Sequence, residues 1–518
     1  MVEVMQSALA QVSSFPTLLV ILFSAIYGIL VGAIPGLTAT MAVTLIVPLT
    51  FFLTDVQAIA AIVTTVTCSI FAGDIPGTLV RIPGTPASAA YAADGYALTQ
   101  QGRYLEALKT SLTFSIVGGL LGTVVLIVAA PQLASVAAQF TSYEYFWLYV
   151  LGLTCAVIVS DESRLKGLFS LLLGLLLSAV GLATDYSEPR LTFGIDELIN
   201  GVNFIPAMIG LFGLSEVLRL VIRSENKQTA DSKYQEAQLA MNEVKVSIVT
   251  EAADCHGEWL RIWNRKFAIL RSSSIGAIVG MLPGAGADIA AWISYAVSKR
   301  FSRQPELYGR GSIEGISDAT GANNAALGGA WIPALVFGIP GDSVTAIALG
   351  ILMMKNITPG PNIFDMSSNS AQAVLVMSIY ITFILANLLL IPIGLAAIRA
   401  SSMLVKIPTN ILLPFIVLFS VIGSYALASS YVDIWIMVAL GVLGFTLERF
   451  RFPLGPVVLG IIMGAPLEHR LLQCLSKSTN LQSFVGSQLS MALAGICFVL
   501  WVFPIASNAI SHRARSRI

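Results

Sequence analysis

The chain has 518 residues, 56% of them hydrophobic and 11% charged, with a mean hydropathy of +0.81. Soluble domains run at roughly 45–50% apolar and about 25% charged, so this composition excludes an ordinary soluble enzyme, a disordered chain and a nucleic-acid binder. Lys and Arg total 29, as do Asp and Glu, which leaves no net field to attract a polyanion.

At about 20 residues per crossing, the apolar content supplies roughly a dozen membrane helices. Residues 1–14 carry Glu3 and no Lys or Arg. A cleavable leader needs a positive start, so the first apolar stretch is expected to stay as structure. That stretch runs into GILVGAIPG at residues 28–36 and turns at Pro35-Gly36. The next apolar run is interrupted by GDIPGTLVRIPGTP at 73–86, and continuous apolar runs follow at 107–130, 143–159, 168–183 and 199–222. A polar segment over 223–266 is expected to be a surface linker. Beyond it come GAIVGMLPGAGA at 276–287, GIPGD at 338–342, and apolar runs at 371–398, 411–429, 431–447 and 484–505. Helices are the default because a bilayer offers no water to unpaired backbone groups. The short alternating segments of a barrel are absent from the pattern. Five scattered cysteines (Cys68, Cys155, Cys255, Cys474, Cys497) and three isolated histidines (His256, His469, His512) form no metal or redox pattern.

The chain repeats itself. The frame G-x-x-x-G-x-[IL]-P-G-x-x-A occurs at 28–39 and at 276–287, an offset of 248, and Ile82-Pro83-Gly84-Thr85 matches Ile339-Pro340-Gly341-Asp342 at an offset of 257. The expected division is a first repeat over 1–222, the linker over 223–266 and a second repeat over 267–518. Lys and Arg are absent from 1–19 and 54–60, which flank the first Pro-Gly turn. Arg261, Arg265, Lys266, Arg271, Lys299, Arg300, Arg303 and Arg310 flank the second. By the positive-inside rule the two turns open to opposite sides of the membrane. Five crossings between them, near 57–99, 107–130, 143–159, 168–184 and 199–222, make the repeats inverted. The fold expected is an all-α polytopic membrane protein of two inverted-topology repeats, with re-entrant helical hairpins and broken transmembrane helices. It would have about 11 crossings plus two hairpins, a periplasmic N-terminus and a cytoplasmic C-terminus.

Inverted repeats with broken helices are the architecture of secondary transporters. Helix N-terminal ends exposed at membrane depth suit an anion, and freed carbonyls suit a cation. The substrate-binding candidates are therefore Pro35, Gly36, Pro83, Gly84, Thr85, Pro283, Gly284, Pro340 and Gly341 at the turns and breaks, with Asn323 and Asn324. Arg81 joins them because a guanidinium fork suits a carboxylate. Carboxylates inside apolar runs are costly and mark function by default, so Asp74, Asp288 and Asp342 are cation-coupling candidates. Simpler roles stand beside these: Pro/Gly kinks that shape packing, a self-neutralising Asp74–Arg81 ion pair, polar helix packing by the Asn pair, and close helix contact at Gly28/Gly32, Gly276/Gly280 and Gly311/Gly315. No G-x-x-x-x-G-K-[ST] occurs, so ATP hydrolysis within the chain is not expected.

At these motifs the chain resembles the large membrane subunit of the tripartite tricarboxylate transporters, the TctA family. The resemblance covers nearly the whole chain. It rests on residues 28–36, IPGTPASA at 82–89, 276–287, Glu314-Gly315, Asn323-Asn324-Ala325, GGAWIP at 328–333, 338–342 and TPGP at 358–361. It implies a bacterial inner-membrane permease without ATP. The permease would work with a small four-helix membrane subunit and a periplasmic solute-binding protein, and import tricarboxylates such as citrate, or related organic carboxylates, by Na+ or H+ symport. No cofactor is implied beyond a coupling Na+, placed near Gly338, Asp342 and Ser343. One departure stands out. Where the family reads Pro-Glu-Ala-Ala-Asn-Asn, this chain has Ala319-Thr320-Gly321-Ala322-Asn323-Asn324. The family glutamate falls on Thr320, and Asp318 or Asp288 is the expected substitute for its coupling role.

Two other classes stay open. A stand-alone symporter or channel for organic anions would need no partners. An intramembrane enzyme is the remoter alternative. No G-x-S-x-G occurs and no intramembrane histidine could activate a serine, which leaves an aspartyl protease built from Asp74, Asp94, Asp288 or Asp342. The expectation is a transporter and not an enzyme, with a mobile substrate-carrying domain sliding on a fixed scaffold in an elevator-type cycle.

Overall fold

The structure, a computed structural model, describes residues 2–35, 37–159, 163–182, 188–225, 265–284, 286–365, 371–404, 409–478 and 480–515. The first half comprises α1 (Val2–Val12), α2 (Phe15–Gly32), α3 (Ala39–Thr50), α4 (Asp55–Ala72), α5 (Asp74–Val80), α6 (Ala92–Gln100), α7 (Tyr104–Ala137), α8 (Ser142–Val159), α9 (Arg164–Ser178) and α10 (Phe204–Met208). A π-helical turn, Ile209–Leu214, carries α10 into α11 (Ser215–Glu225). The second half comprises α12 (Lys266–Gly280), α13 (Gly286–Phe301), α14 (Ile313–Phe337), α15 (Ser343–Met354), α16 (Ala371–Arg399), α17 (Ser401–Leu404), α18 (Thr409–Ala428), α19 (Tyr431–Arg449), α20 (Leu454–Lys477) and α21 (Gln488–Arg515). Among the described residues the only strands are a two-residue antiparallel ribbon, β1 (Gly181–Leu182) on β2 (Pro189–Arg190).

The protein is an all-α, multi-pass membrane protein, with eight described helices long and apolar enough to cross a bilayer. That number covers the described residues alone; α18 and α21, of 20 and 28 residues, lie partly outside it, and three further helices are short. Helices α3 and α15 have 12 residues each, about 18 Å at 1.5 Å per residue, which falls short of a hydrocarbon core of about 30 Å. Helix α9 has only 15 residues. Helix α11 runs to Glu225 and α12 starts at Lys266, and most of the expected linker lies outside the described residues.

Two helices form the centre. Every residue of α14 from Gly315 to Phe337 is buried, and α4 is buried along nearly its whole length. Lipid tails are as apolar as leucine, so close backbone approach, and not the hydrophobic effect, holds such helices together. Glycine supplies that approach. A Cβ on Gly28 would sit 2.6 Å from Thr65 O, and one on Gly122 would sit 2.5 Å from Ala325 O.

The two halves make the same contacts at the offsets seen in the sequence. Gly28 lies on Thr65 O and Gly276 on Ala322 O, while Gly32 lies on Ser69 O and Gly280 on Ala326 O. The helix-two residues differ by 248 (276 − 28 and 280 − 32), and the partner carbonyls by 257 (322 − 65 and 326 − 69). Helix α2 packs along α4 as α12 packs along α14. The long α7 packs on α14 of the other half, and α16 on α4 of the first.

Candidate substrate cavity

Each half brings a hairpin turn against a helix break. In the first half, Gly84 sits beside Gly32 O. In the second, Gly284 N donates to Gly341 O at 2.8 Å, and Gly341 sits beside Gly280 O. Both breaks start from the same local device. Helix α14 ends at Gly338, φ 70°, with Ile339 N bonded to Pro333 O; α5 ends at Arg81, φ 57°, with Ile82 N bonded to Pro76 O. The offset of 257 places Arg81 on Gly338 (338 − 81), a left-handed C-terminal cap position where glycine is at ease and arginine is strained.

Beyond each break the chain is re-anchored by short polar side chains. Thr85 and Ser88 exchange backbone-to-hydroxyl bonds of 3.1 Å in each direction. Asp342 caps α15, its Oδ1 accepting from Thr345 N at 2.8 Å. Thr38 caps α3, its Oγ1 accepting from Met41 N at 3.2 Å. Asp288, in the first turn of α13, accepts from Ala87 N at 3.1 Å and so ties the second turn to the first break.

These four elements enclose one cavity of about 130 Å³. Thr38 and Thr40 line it from the first turn, Thr85 from the first break, Gly284, Gly286 and Asp288 from the second turn, and Asp342 and Ser343 from the second break. Asn323 of α14 also faces it, 1% exposed, with its Nδ2 lacking any hydrogen-bond partner. The first turns of α3, α13 and α15 therefore point positive helix ends toward this space. Two carboxylates, Asp288 and Asp342, stand in the same wall, and among the described residues that line it there is no Lys or Arg. A larger cavity of about 520 Å³ adjoins it and includes Pro83, Gly84 and Thr85.

The other sequence candidates fall elsewhere. Pro35 is buried at the first turn, outside both cavity walls, and Gly36 lies outside the described residues. Pro283, Pro340 and Gly341 shape the second turn and break without reaching either wall. Gly338 is a helix cap, and only its expected Na+ partners Asp342 and Ser343 face the cavity. Asn324 spends its Nδ2 on Ser115 Oγ (3.0 Å) and Thr320 O (3.2 Å), the packing role.

Three charges behave differently from expectation. Arg81 is exposed, belongs to neither wall and makes no ion pair with Asp74. The left-handed cap at Arg81 lies apart from the residues that line either cavity. Asp74 is 2% exposed and accepts instead from Tyr91 Oη at 2.5 Å and from Ser111 Oγ. Tyr91 in turn lies beside Thr320 and Asn323, which connects Asp74 to the cavity's polar wall. Asp318, wholly buried, is gripped by Arg265 and Arg271 at 2.8 Å each, so its charge is compensated within the protein.

Residues 18–459 match the Tripartite tricarboxylate transporter TctA family, a span that holds both turns, both breaks and both cavity walls. The chain belongs to that family. Family membership makes it the membrane component of a tripartite transporter with other subunits. An Agrobacterium vitis protein described as "Uncharacterized 52.8 kDa protein in TAR-I ttuC' 3'region" is 33% identical over 481 residues, covering 92% of this chain and 91% of its own. A second from the same organism, "Uncharacterized protein in TAR-II ttuC' 3'region", is 33% identical over 233 residues, covering 44% of this chain and 94% of its own. No solved structure matches the chain. Sequence reasoning missed two wall residues of this TctA protein, Thr38 and Thr40. The signal was present, since both follow the Pro-Gly turn at the start of a helix, but neutral hydroxyls do not stand out in an apolar run as charges do.

Proposed function

We propose that this TctA protein is the permease of a binding-protein-dependent secondary transporter that imports organic carboxylates together with a cation. One observation carries the reading. A single cavity, built from both turns and both breaks, joins three helix N-termini to two carboxylates, with no Lys or Arg among the described residues that line it. Helix N-termini favour an anion, while Asp288 and Asp342 repel one until a cation neutralises them. Anion and cation then enter together or not at all, which is symport. Asn323 Nδ2, buried and unpartnered, is placed to donate to a substrate carboxylate. The partners proposed are a small four-helix membrane subunit and a periplasmic binding protein. The location proposed is a bacterial inner membrane, with the N-terminus periplasmic and the C-terminus cytoplasmic. The matched halves suit an elevator-type cycle, which predicts crosslinks between the Pro-Gly turns and the long helices that change with substrate.

No enzymatic activity is proposed. Both oxygens of Asp94 are occupied by donors, and Asp288 and Asp342 are engaged in helix-end bonds, which speaks for binding over proteolysis.

The test is uptake of labelled di- and tricarboxylates, citrate and succinate among them, by cells carrying the chain with its presumed partners. Asp288→Asn should lower uptake about tenfold or more, the value of one charge-assisted contact of roughly 1.5–3 kcal/mol. Collapse of the coupling gradient, sodium or proton, should abolish accumulation, and the gradient that does so names the cation. Uptake that persists without the binding protein would favour the stand-alone transporter, and uptake indifferent to both gradients would end the symport reading.

A further inference from the structure

The larger cavity continues the smaller one, for Thr38, Thr40, Thr85, Pro86, Asp288 and Ser343 line both. Its opposite wall comes from elements that contribute nothing to the central site. Ser215, Glu216 and Arg219 face it from α11, and Glu448 from the end of α19. Arg219 is the one Lys or Arg among the described residues lining either cavity. Its Nη2 lies 2.5 Å from Glu216 Oε1; the Arg219 side chain is 50% exposed while the Glu216 side chain is only 8% exposed. Glu448 Oε2 is buried and has no hydrogen-bond partner, although Arg219 and Glu216 are both close enough for their charges to act on it. The π-helical turn Ile209–Leu214 immediately precedes this stretch of α11, a feature that recurs at functional sites.

A carboxylate leaving the central cavity by this route meets a guanidinium that already holds a carboxylate. We propose that Arg219 is the release-side docking residue for the substrate carboxylate, and that Glu216 occupies it as an internal stand-in when substrate is absent. This rests on the carboxylate-transport reading above. The exchange swaps one carboxylate for another on the same fork, and the displaced Glu216 stays in the wall, where its negative charge repels the bound anion and favours its release. Glu448 beside the pair weakens the hold on the incoming anion. A transport site must bind well enough to admit its cargo and weakly enough to release it, and one arginine between two acids meets that requirement. By the positive-inside rule, Arg219 and Arg223 mark this end of the helix as cytoplasmic, which makes the step one of release into the cell.

The experiment uses the complete transporter in vesicles and follows labelled citrate and succinate, both in net uptake and in counterflow against unlabelled substrate on the cytoplasmic side. Glu216→Gln frees the fork and should lower the cytoplasmic-side concentration for half-maximal counterflow about fivefold to tenfold, with slower net release, as one charge-assisted contact is worth about that much. Arg219→Ala should reduce maximal uptake about tenfold while the periplasmic-side KM changes less than about twofold. Arg219→Lys should restore part of the rate, since it keeps the charge but not the fork. A gain in affinity cannot come from misfolding, so Glu216→Gln decides the matter even if Arg219→Ala inserts poorly. Unchanged cytoplasmic half-saturation in Glu216→Gln would overturn the assignment while wild-type uptake left the carboxylate reading intact. If the wild type carries neither acid, both readings fall together.

Discussion

Replacing Asp94 with alanine is expected to destabilise this protein by on the order of 4 kcal/mol, with Asp94→Asn costing about 1–2 kcal/mol. The carboxylate stands in the first turn of α6, 0% exposed. Its Oδ1 accepts from Gly309 N at 2.7 Å, Gly311 N at 2.9 Å and Ser312 N at 2.8 Å, and its Oδ2 accepts from Tyr295 Oη at 2.6 Å. Three backbone donors converge on one oxygen because Gly309 and Gly311 hold φ at 85° and 117°, which other residues adopt only under strain. This bond set fastens the first half to the loop that starts α14, the central helix. Alanine would leave three N–H groups and a hydroxyl without this acceptor, Ser312 N in buried surroundings and the other three part-buried, and a buried orphan costs about 1–3 kcal/mol. Asparagine keeps an acceptor for the loop and loses mainly the charge. Thermal unfolding of the purified protein in detergent should therefore rank wild type, Asp94→Asn and Asp94→Ala in that order, with the larger gap before alanine. Equal loss in both variants would mean that the charge, not the acceptor, holds the loop.

The features legible in the sequence were those written in local chemistry. Pro-Gly turns, small-residue spacings and apolar runs place the two hairpins, the two breaks and the close helix contacts, and repetition at 248 and 257 carries them from one half to the other. Roles that depend on distant partners were not legible. Asp318 looks like a free intramembrane carboxylate until Arg265 and Arg271, 53 and 47 residues away, are seen to grip it. Arg81 drew attention as a charge in an apolar run. The same 257-residue offset that revealed the repeat pairs it with Gly338, which identifies a cap position. Glu216 and Arg219 read as an ordinary i, i+3 surface pair marking the cytoplasmic side. Only the fold places them in a wall shared with a Pro-Gly break.

The seam between α7 and α14 supplies the second large effect, because there the usual helix preference reverses sign. Glycine inside a helix ordinarily costs about 1 kcal/mol relative to alanine, so Gly→Ala should stabilise wherever a methyl has room. Gly495 on α21 has such room, with nothing within 4 Å of an added Cβ. Gly122 does not. Its Cβ would press on the Ala325 carbonyl, and a Cβ on Gly328 would in turn lie 2.5 Å from the Gly122 carbonyl carbon. Backbone on both sides cannot rotate aside as a side chain can, so two helices must separate, and α14 carries Asn323 into the cavity. Gly122→Ala is expected to cost about 1–3 kcal/mol, the range for overpacking, and Gly122→Leu more, while Gly495→Ala leaves stability level or raised. Because Gly122 and Gly328 meet face to face, alanine at both should depart from the sum of the single changes. Thermal unfolding in detergent reads all of these variants, Gly328→Ala alone included. A Gly122→Ala protein as stable as Gly495→Ala would show that the seam has slack, and that side chains, not backbone contact, hold α14 at the centre of the molecule.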